Sequence, residues 1–444
     1  MKRYAKYRDT GVKAIGKIPS DWETVKTAYA FSFGRGLSIS RENMNDVGIP
    51  CVHYGEIHAR YGFAVDPAKN KLPCIDESYL QTAPQALLKY GDYLFVGSSE
   101  DIEGSGNFTY LNSDIPAFAG SDTIILRVKR EINYRYVAYM FDSLSYRKQI
   151  RSEVYGVKVF HPTQSIIKKV IGVYPPLYEQ AAIASYLDCR TAKIDETISD
   201  LQLQAEMLNH YKQELITNTI TRGLNKDVPT KDSEVDWIGE VPTNWEITKT
   251  KWLFEIVKRI YGKEDRDILS ITQRGIKVKD IESNDGQLAE SYSNYQVVNI
   301  NDFAMNSMDL LTGYVDCSQF EGVTSPDYRV FRFFSNKPQC HSYYKYLFQM
   351  CYKRRIFYRL GQGVSNFGRW RLQADQFLNM KLPQPPIHEQ EEIAAYLDKK
   401  ITRVENLIAD INKQIEKLKQ YRQIIIHDAV TGKIKVSEVS NNAN

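Results

Sequence analysis

Pro175-Pro176-Leu177-Tyr178-Glu179-Gln180 returns as Pro385-Pro386-Ile387-His388-Glu389-Gln390. Ile183-Ala184 and Tyr186-Leu187-Asp188 return as Ile393-Ala394 and Tyr396-Leu397-Asp398, and Tyr211 and Gln213 as Tyr421 and Gln423. The offset holds at 210 residues from Pro175 and Pro385 onward, so no insertion separates the two copies. Apolar residues then fall seven apart, at Leu397, Val404, Ile411, Leu418 and Ile425, with Ile401, Ile408 and Ile415 at the alternate position. The first copy keeps the main row as Leu187, Ile194, Leu201, Leu208 and Leu215 and has a weaker alternate row of Thr191, Ile198, Ala205 and Lys212. This spacing gives the narrow apolar seam of a coiled coil. The prolines suit a first helical turn, and Glu179 and Glu389 place a carboxylate where the helix dipole favours it. Two helices of about 40–45 residues, about 60–65 Å long, are expected. Within one chain they pair most simply with each other and antiparallel, with pairing between chains as the alternative.

A second repeat opens each half. Ile15-Gly16-Lys17-Ile18-Pro19-Ser20-Asp21-Trp22-Glu23 returns as Ile238-Gly239-Glu240-Val241-Pro242-Thr243-Asn244-Trp245-Glu246. Trp22 and Trp245 are expected to pack in a core or at a strand edge, because tryptophan buries a large area. Between the repeats the halves share little. Gly91-Asp92-Tyr93 resembles Asn301-Asp302-Phe303, and Gly156-Val157 with Phe160 resembles Gly363-Val364 with Phe367. Strands are expected at 91–96, 122–128 and 328–333, and shorter helices at 133–153 and 340–359. The fold class is α+β, with two mixed, strand-rich domains, two long helices packed as an antiparallel coiled coil, and a pseudo-two-fold internal repeat. The segments are a first variable domain at 1–174, a helix region at 175–224, a second variable domain at 225–384, a second helix region at 385–434, and a tail at 435–444 expected to be disordered. Two similar scaffolds presenting different surfaces suit a reader of two unlike half-sites; aimless drift after gene duplication is the competing account.

The 444 residues carry a formal net charge of +4, too mild to argue for nucleic acid by itself. Its distribution is more informative. From Tyr328 to Ala374 there is no Asp or Glu, while Arg329, Arg332, Lys337, Lys345, Lys353, Arg354, Arg355, Arg359, Arg369 and Arg371 all fall there. Such a stretch is either a phosphate-binding face or a basic surface balanced by acids elsewhere in the fold. Candidate DNA contacts are Arg354, Arg355, Arg369 and Arg371 in the second domain and Arg35 and Lys158 in the first. The Gly-rich loops 34–36, 99–107 and 361–371 fit no dinucleotide or phosphate-loop pattern. His53, Glu56 and His58 lack a third recognisable metal ligand, so no metal site is expected. The six cysteines form no CxxC pair and suit reduced thiols. Without an apolar membrane-length window or a signal-peptide pattern, a cytoplasmic protein is expected.

The Pro-Pro-x-x-Glu-Gln-x-x-Ile-Ala-x-Tyr-Leu-Asp block, present twice after a variable domain, resembles the specificity subunit of type I restriction-modification systems. The repeated Ile-Gly-x-Ile/Val-Pro-x-x-Trp opening adds to the resemblance, which spans nearly the whole chain. It implies two target recognition domains, a helical spacer that sets the gap between half-sites, and docking of two methyltransferase subunits. Tyr186, Tyr211, Tyr396 and Tyr421 are the candidate partner contacts, with Ile183, Ile393 and Ile424 also off the main seam. The resemblance implies that the full complex methylates adenine with S-adenosylmethionine and, with restriction subunits, cuts DNA using ATP and Mg2+. This chain has neither an Asn/Asp-Pro-Pro-Tyr/Phe motif nor a nucleotide phosphate loop, and no cofactor of its own is expected. The loops around 97–109 do not match between halves, so their residues cannot be paired. A coiled-coil protein-interaction scaffold without DNA affinity is the alternative, and a metal-dependent nuclease is a weaker one.

Overall fold

The computed structural model describes residues 3–280, 289–335, 339–364 and 369–436. The chain forms two compact units, one from Met1–Leu201 with Lys413–Asn444 and the other from Gln202–Asn412. Each contains a strand-rich region, the front of one long helix and the rear of the other.

In the first unit, β1 (Phe31–Arg35), β2 (Phe63–Val65), β3 (Tyr93–Val96), β4 (Phe108–Leu111) and β5 (Thr123–Val128) form a sheet in the order β1-β5-β3-β4-β2. All neighbours are antiparallel except β4 and β2. Two short helices follow, α1 (Tyr134–Asp142) and α2 (Leu144–Arg151). A single helical stretch was expected there; Ser143, in an extended conformation, ends one helix and caps the next by accepting the Tyr146 N–H. The core under the sheet is aromatic. Phe31, Tyr93, Phe95, Phe108, Phe141 and Tyr146 are all buried, and Phe95 stacks on Phe108 with centroids 5.4 Å apart. A second small sheet, from Cys74–Ile75, Ile49–Val52, Ala117–Ala119 and Leu87–Leu88, extends the unit. The first long helix, α3 (Leu177–Arg222), begins after Pro175-Pro176.

The second unit repeats the same sheet core with different residues. Here β6 (Phe254–Val257), β7 (Phe303–Met305), β8 (Val315–Cys317) and β9 (Arg329–Phe333) lie in the order β6-β9-β7-β8, all antiparallel. Helix α4 (His341–Lys353) covers it. The expected helix 340–359 breaks at Arg355, whose φ of 57° starts a separate turn at Ile356–Leu360. Phe303 stacks on Phe331 at 5.3 Å and meets Phe254 and Phe348 edge-on. The Gly91/Asn301 anchor now has a cause. Both residues occupy positive φ, 84° and 70°, in the turn before a central strand. Glycine and asparagine are the residues that tolerate that conformation best. The next residue closes the turn: Asp92 accepts the Lys89 N–H and Asp302 the Asn299 N–H.

The second long helix, α5, runs Ile387–Val430. The heptad positions are inward-facing: Leu187, Thr191, Ile194, Leu397, Ile401, Val404, Ile415 and Ile425 are buried. In each unit the start of one long helix lies beside the end of the other, so the helices are antiparallel. Tyr136 donates to both the Val173 carbonyl, just before α3, and the Val430 carbonyl, at the end of α5. Tyr343 donates to the Ile220 carbonyl near the end of α3. Of the tail expected to be disordered, Lys435 lies over the Tyr4 ring and Val436 packs on the first unit's core. Residues 437–444 lie outside the described residues.

Candidate nucleic-acid interface and the helix junctions

Each sheet has two ends with separate roles. One end docks on the long helices, and both repeated sequence blocks converge there. Trp22 and Trp245 are buried as expected, and each also donates its indole N–H to the helix-start glutamate. Trp22 Nε1 is 3.3 Å from Glu179 Oε2, and Trp245 Nε1 is 2.8 Å from Glu389 Oε2. The adjacent glutamine bridges two elements. Gln180 donates to the Pro175 carbonyl and accepts the Asn133 N–H at the start of α1. Gln390 does the same with Pro385 and Cys340, at the start of α4. Asp188 accepts from Tyr139 and Arg135, and Asp398 accepts from Tyr346. Tyr136, Tyr139, Tyr343 and Tyr346 were missed as functional positions, because their 207-residue spacing (136 to 343) differs from the helix offset of 210. Glycines complete the junction. A Cβ on Gly432 would lie 2.4 Å from Pro19 Cδ, and one on Gly223 would lie 3.2 Å from Trp245 Cζ2. Both glycines have positive φ and end a long helix, so a side chain is strained at either position, and at Gly432 it would clash as well.

Ile183 and Ile393, expected on a partner surface, are each 1% exposed and belong to their own unit's core. The first turns of the long helices pack on the strand-rich regions, so the helix face there is already covered. Tyr186 and Tyr396 are half-buried, each under a cation one turn on: Arg190 and Lys400 stand 5.6 Å from the respective ring centroids. Tyr211, Tyr421 and Ile424 are 49%, 48% and 50% exposed.

The opposite sheet end carries the divergent loops. In the first unit β1 ends at Arg35 opposite Ile124, and β3 ends at Val96 opposite Thr123. Ser99 pairs with Phe160 as an isolated bridge, which brings the 155–160 loop to the same end. Arg35 and Lys158 are therefore both exposed at this end, beside Tyr155 and Val157, which are 84% and 97% exposed. The end is not uniformly basic. Glu100, Asp101 and Glu103 line a cleft with His58, and Glu103 pairs with Arg151. The His58 ring nitrogens contact the Ser98 carbonyl at 3.0 Å and Asn107 at 2.9 Å, so they serve the loop. His53 and Glu56 form a capping box on a short helix. Among the described residues no group of three His, Cys, Asp or Glu is placed to hold a metal.

In the second unit the corresponding end holds a hairpin, Gln362–Val364 with Arg369–Arg371. Its base is fixed by the Leu372 N–H donating to Ser307 and by Tyr358 against Trp370 at 4.8 Å. Arg371 is exposed on it; the backbone of Arg369 is in the strand, and its side chain lies outside the described residues, as do Phe367 and Lys337. The acid-free stretch is not one basic face. Arg329 is buried, donating to the Leu372 carbonyl and lying over Phe377, and burial pushes its guanidinium down to about 10. Arg332 pairs with Glu255 of the neighbouring strand, and Arg354 with Glu214 of α3. Acids distant in sequence supply the counter-charges. Arg355 is exposed at the break after α4. Arg354 thus faces a long helix while Arg371 sits on the hairpin.

The Type I restriction modification DNA specificity domain family matches residues 242–417. Two type I restriction enzyme specificity subunits of Methanocaldococcus jannaschii are similar in sequence. The one named for MjaX is 24% identical over 95% of this chain and 96% of its own length. The MjaVIII subunit is 25% identical over 68% of this chain and 71% of its own length. A chain solved in work on complex assembly and conformational transition of the type I R-M system shares the fold, with a TM-score of 0.67 at 14% identity over 94% of this chain and 99% of that one. The doubled junction motifs and these similarities agree: the chain is similar to the specificity subunits of type I restriction-modification systems over nearly its whole length.

Proposed function

We propose that this chain reads a bipartite DNA target, one half through each unit's loop-bearing sheet end, and performs no catalysis itself. The observation that carries the reading is the contrast between the two ends of each sheet. The helix-docking ends use the same hydrogen bonds twice, whereas the loop ends differ in length, charge and secondary structure. A shared frame with two unlike surfaces is what recognition of two unlike sequences requires. Within it, Arg35 and Lys158 in the first unit and Arg355, Arg369 and Arg371 in the second are candidate phosphate or base contacts, with Arg354 nearer the helices. The alternative of a protein-interaction scaffold predicts no binding of duplex DNA, and the similarity to specificity subunits does not favour it.

Two methyltransferase subunits would dock on the helical regions, bringing S-adenosylmethionine; restriction subunits would add ATP- and Mg2+-dependent cleavage in the cytoplasm. No helix of the described residues is long and apolar enough to cross a membrane. Tyr211 and Tyr421 occupy equivalent, half-exposed helix positions and offer similar contacts to two copies of one partner. Tyr211→Asp with Tyr421→Asp should block assembly with the methyltransferase while leaving circular dichroism unchanged. The reading as a whole is tested by exchanging residues 250–380 for those of a relative with another specificity. Footprinting or methylation mapping should then show one half-site changed and the other kept; alteration of both, or of neither, refutes it.

A further inference from the structure

The helix junction differs between the units at the position of buried Asp142, and a cavity lies beside its counterpart in the second unit. In the first unit Asp142, on α1, accepts from Arg147 at 2.9 Å and from Arg422 of α5 at 3.3 Å, while Arg422 also reaches Asp195 of α3 at 3.0 Å. The repeat makes Lys212 and Glu405 the counterparts of Arg422 and Asp195, and they too pair, at 3.2 Å. The counterpart of Asp142, however, is Gln349, which carries no charge. Two further positions gain cations: Ala138 and Tyr146 correspond to Lys345 and Lys353.

A cavity of about 390 Å³ lies in the second unit between α3, α5, α4 and the turn at Arg274-Gly275. Lys212, Arg274, Lys345, Lys353 and Arg354 line it, against the carboxylates of Asp316 and Glu405. Among the described residues, no carboxylate stands within ion-pair distance of Arg274, Lys345 or Lys353. The two lysines are instead set over aromatic faces, Lys345 at 4.8 Å from the Tyr346 centroid and Lys353 at 5.4 Å from that of Tyr314. Burial, and then the neighbouring Lys212, hold the Lys353 ammonium below the ordinary lysine range. Asp316 is already occupied as an acceptor by the Ile276 and Cys317 N–H groups and by Gln349 Nε2. Glu405 is held by Lys212, and Arg354 by Glu214. Asp316 also feels the Lys345 charge, yet among the described residues the five cations lining this concave site exceed its two carboxylates.

We propose that this cavity binds a phosphate group, with Lys345, Lys353 and Arg274 as its donors. Its size suits a phosphate ester, and compact ammonium groups suit phosphate as point charges. The group could belong to a DNA strand or to a free phosphate compound; the chemistry is the same. The site does not depend on which loops read bases.

Calorimetric titration of the full chain with sodium pyrophosphate, in low-salt buffer without phosphate, tests it. One site per chain is expected. Lys345→Gln with Lys353→Gln should weaken binding roughly tenfold, as loss of hydrogen bonds from charged donors does. Glu405→Gln frees Lys212 and should tighten binding roughly threefold, the scale of a half-exposed ion pair. Lys69→Gln, on an exposed loop, is the control. The tightening variant also guards against misfolding, because a damaged fold does not bind better. With either source the site stands: displacement of pyrophosphate by a non-target duplex assigns it to a DNA strand, and retention assigns it to a free phosphate compound. Absence of pyrophosphate binding, or failure of Glu405→Gln to tighten it, overturns the proposal. Half-site exchange reads sequence specificity separately, so either idea can fail alone.

Discussion

The two helix junctions are built from the same hydrogen-bond plan, yet they settle their charges differently. In the first unit Asp142, Arg147, Arg422 and Asp195 form a closed network around a buried carboxylate. In the second, Gln349 replaces that carboxylate, Arg354 turns to Glu214, and among the described residues Lys345 and Lys353 stand in no close ion pair, Lys345 acting on Asp316 only at longer range. The shared part is what both copies need to hold a strand-rich region on a helix. Charge is the part free to change, because the buried polar bonds to Trp, Gln and Tyr already fix the geometry.

That division predicts where mutations hurt equally and where they do not. The largest effects should come from the shared tryptophans. Trp22→Ala and Trp245→Ala each empty a buried site and remove one donor from a helix-start glutamate, leaving Glu179 to Tyr4 and Glu389 to Asn244, and each should cost about 3–5 kcal/mol. Hydrogen exchange should localise the loss: Trp22→Ala loosens amides of 3–201 and 413–436, and Trp245→Ala those of 202–412. Uniform loosening of the whole chain by either variant would break the comparison, because the units would then not unfold separately.

An intermediate effect separates the junctions. Arg422→Ala removes one of two partners from buried Asp142 and should destabilise the first unit by about 2 kcal/mol. Its counterpart Lys212→Ala loses only a pair with half-exposed Glu405 and relieves crowding with Lys353, so a change within about 1 kcal/mol is expected. Chemical denaturation of the two variants measures both. Equal losses would mean that Gln349 does not matter in the way the contacts suggest.

Much of this was legible in the sequence, for a physical reason. The helices announce themselves through heptads because the seam repeats locally, and Trp22 and Trp245 through a close recurrence of their surroundings. Strands at 93–96, 123–128 and 329–333 lie within the expected spans because they are short apolar runs. Pairings across the fold were not legible. Nothing near Arg329 in the chain shows that it points into a core, and nothing near Arg354 shows that Glu214 awaits it. Charge patches read along a sequence omit the acids that folding brings alongside. Ile183 and Ile393 were misplaced for the same reason: a heptad defines one seam, not what covers the other faces. The junction tyrosines escaped notice because the strand-rich regions changed length by three residues relative to the helices, which shifts the repeat there from 210 to 207.

The smallest effect concerns pH, and it too distinguishes the copies. His427 lies near the end of α5, where the repeat places Thr217 in α3. The helix bonds around the two positions correspond: Thr431 donates to the His427 carbonyl, as Thr221 does to that of Thr217. Burial, then Lys433, lowers the imidazole to about 4, with Lys148 adding to the effect and Asp428 opposing it. Lys433 Nζ stands 2.7 Å from Nε2, which suits a neutral ring accepting there. A histidine whose folded pKa is depressed contributes its full stability above the unfolded value, about 6.5. Between about 6.5 and 4 the unfolded chain binds the extra proton, so stability falls as pH drops through that window and levels off below it. The ring is partly solvated, which limits the loss to about 1 kcal/mol. His427→Thr installs the first helix's residue and should remove this component, flattening the first unit's stability between pH 6.5 and 4 relative to wild type. Thr217→His should install a comparable slope in the second unit only if the site there is as enclosed. It lies instead beside the cation-rich cavity and the Arg354 guanidinium, 3.2 Å from the Thr217 hydroxyl, so the slope should be at least as steep. Denaturation midpoints of the three proteins at pH 6.5, 5.5 and 4.5 decide it: a His427→Thr chain as acid-sensitive as wild type would show that the ring is already charged in the folded state.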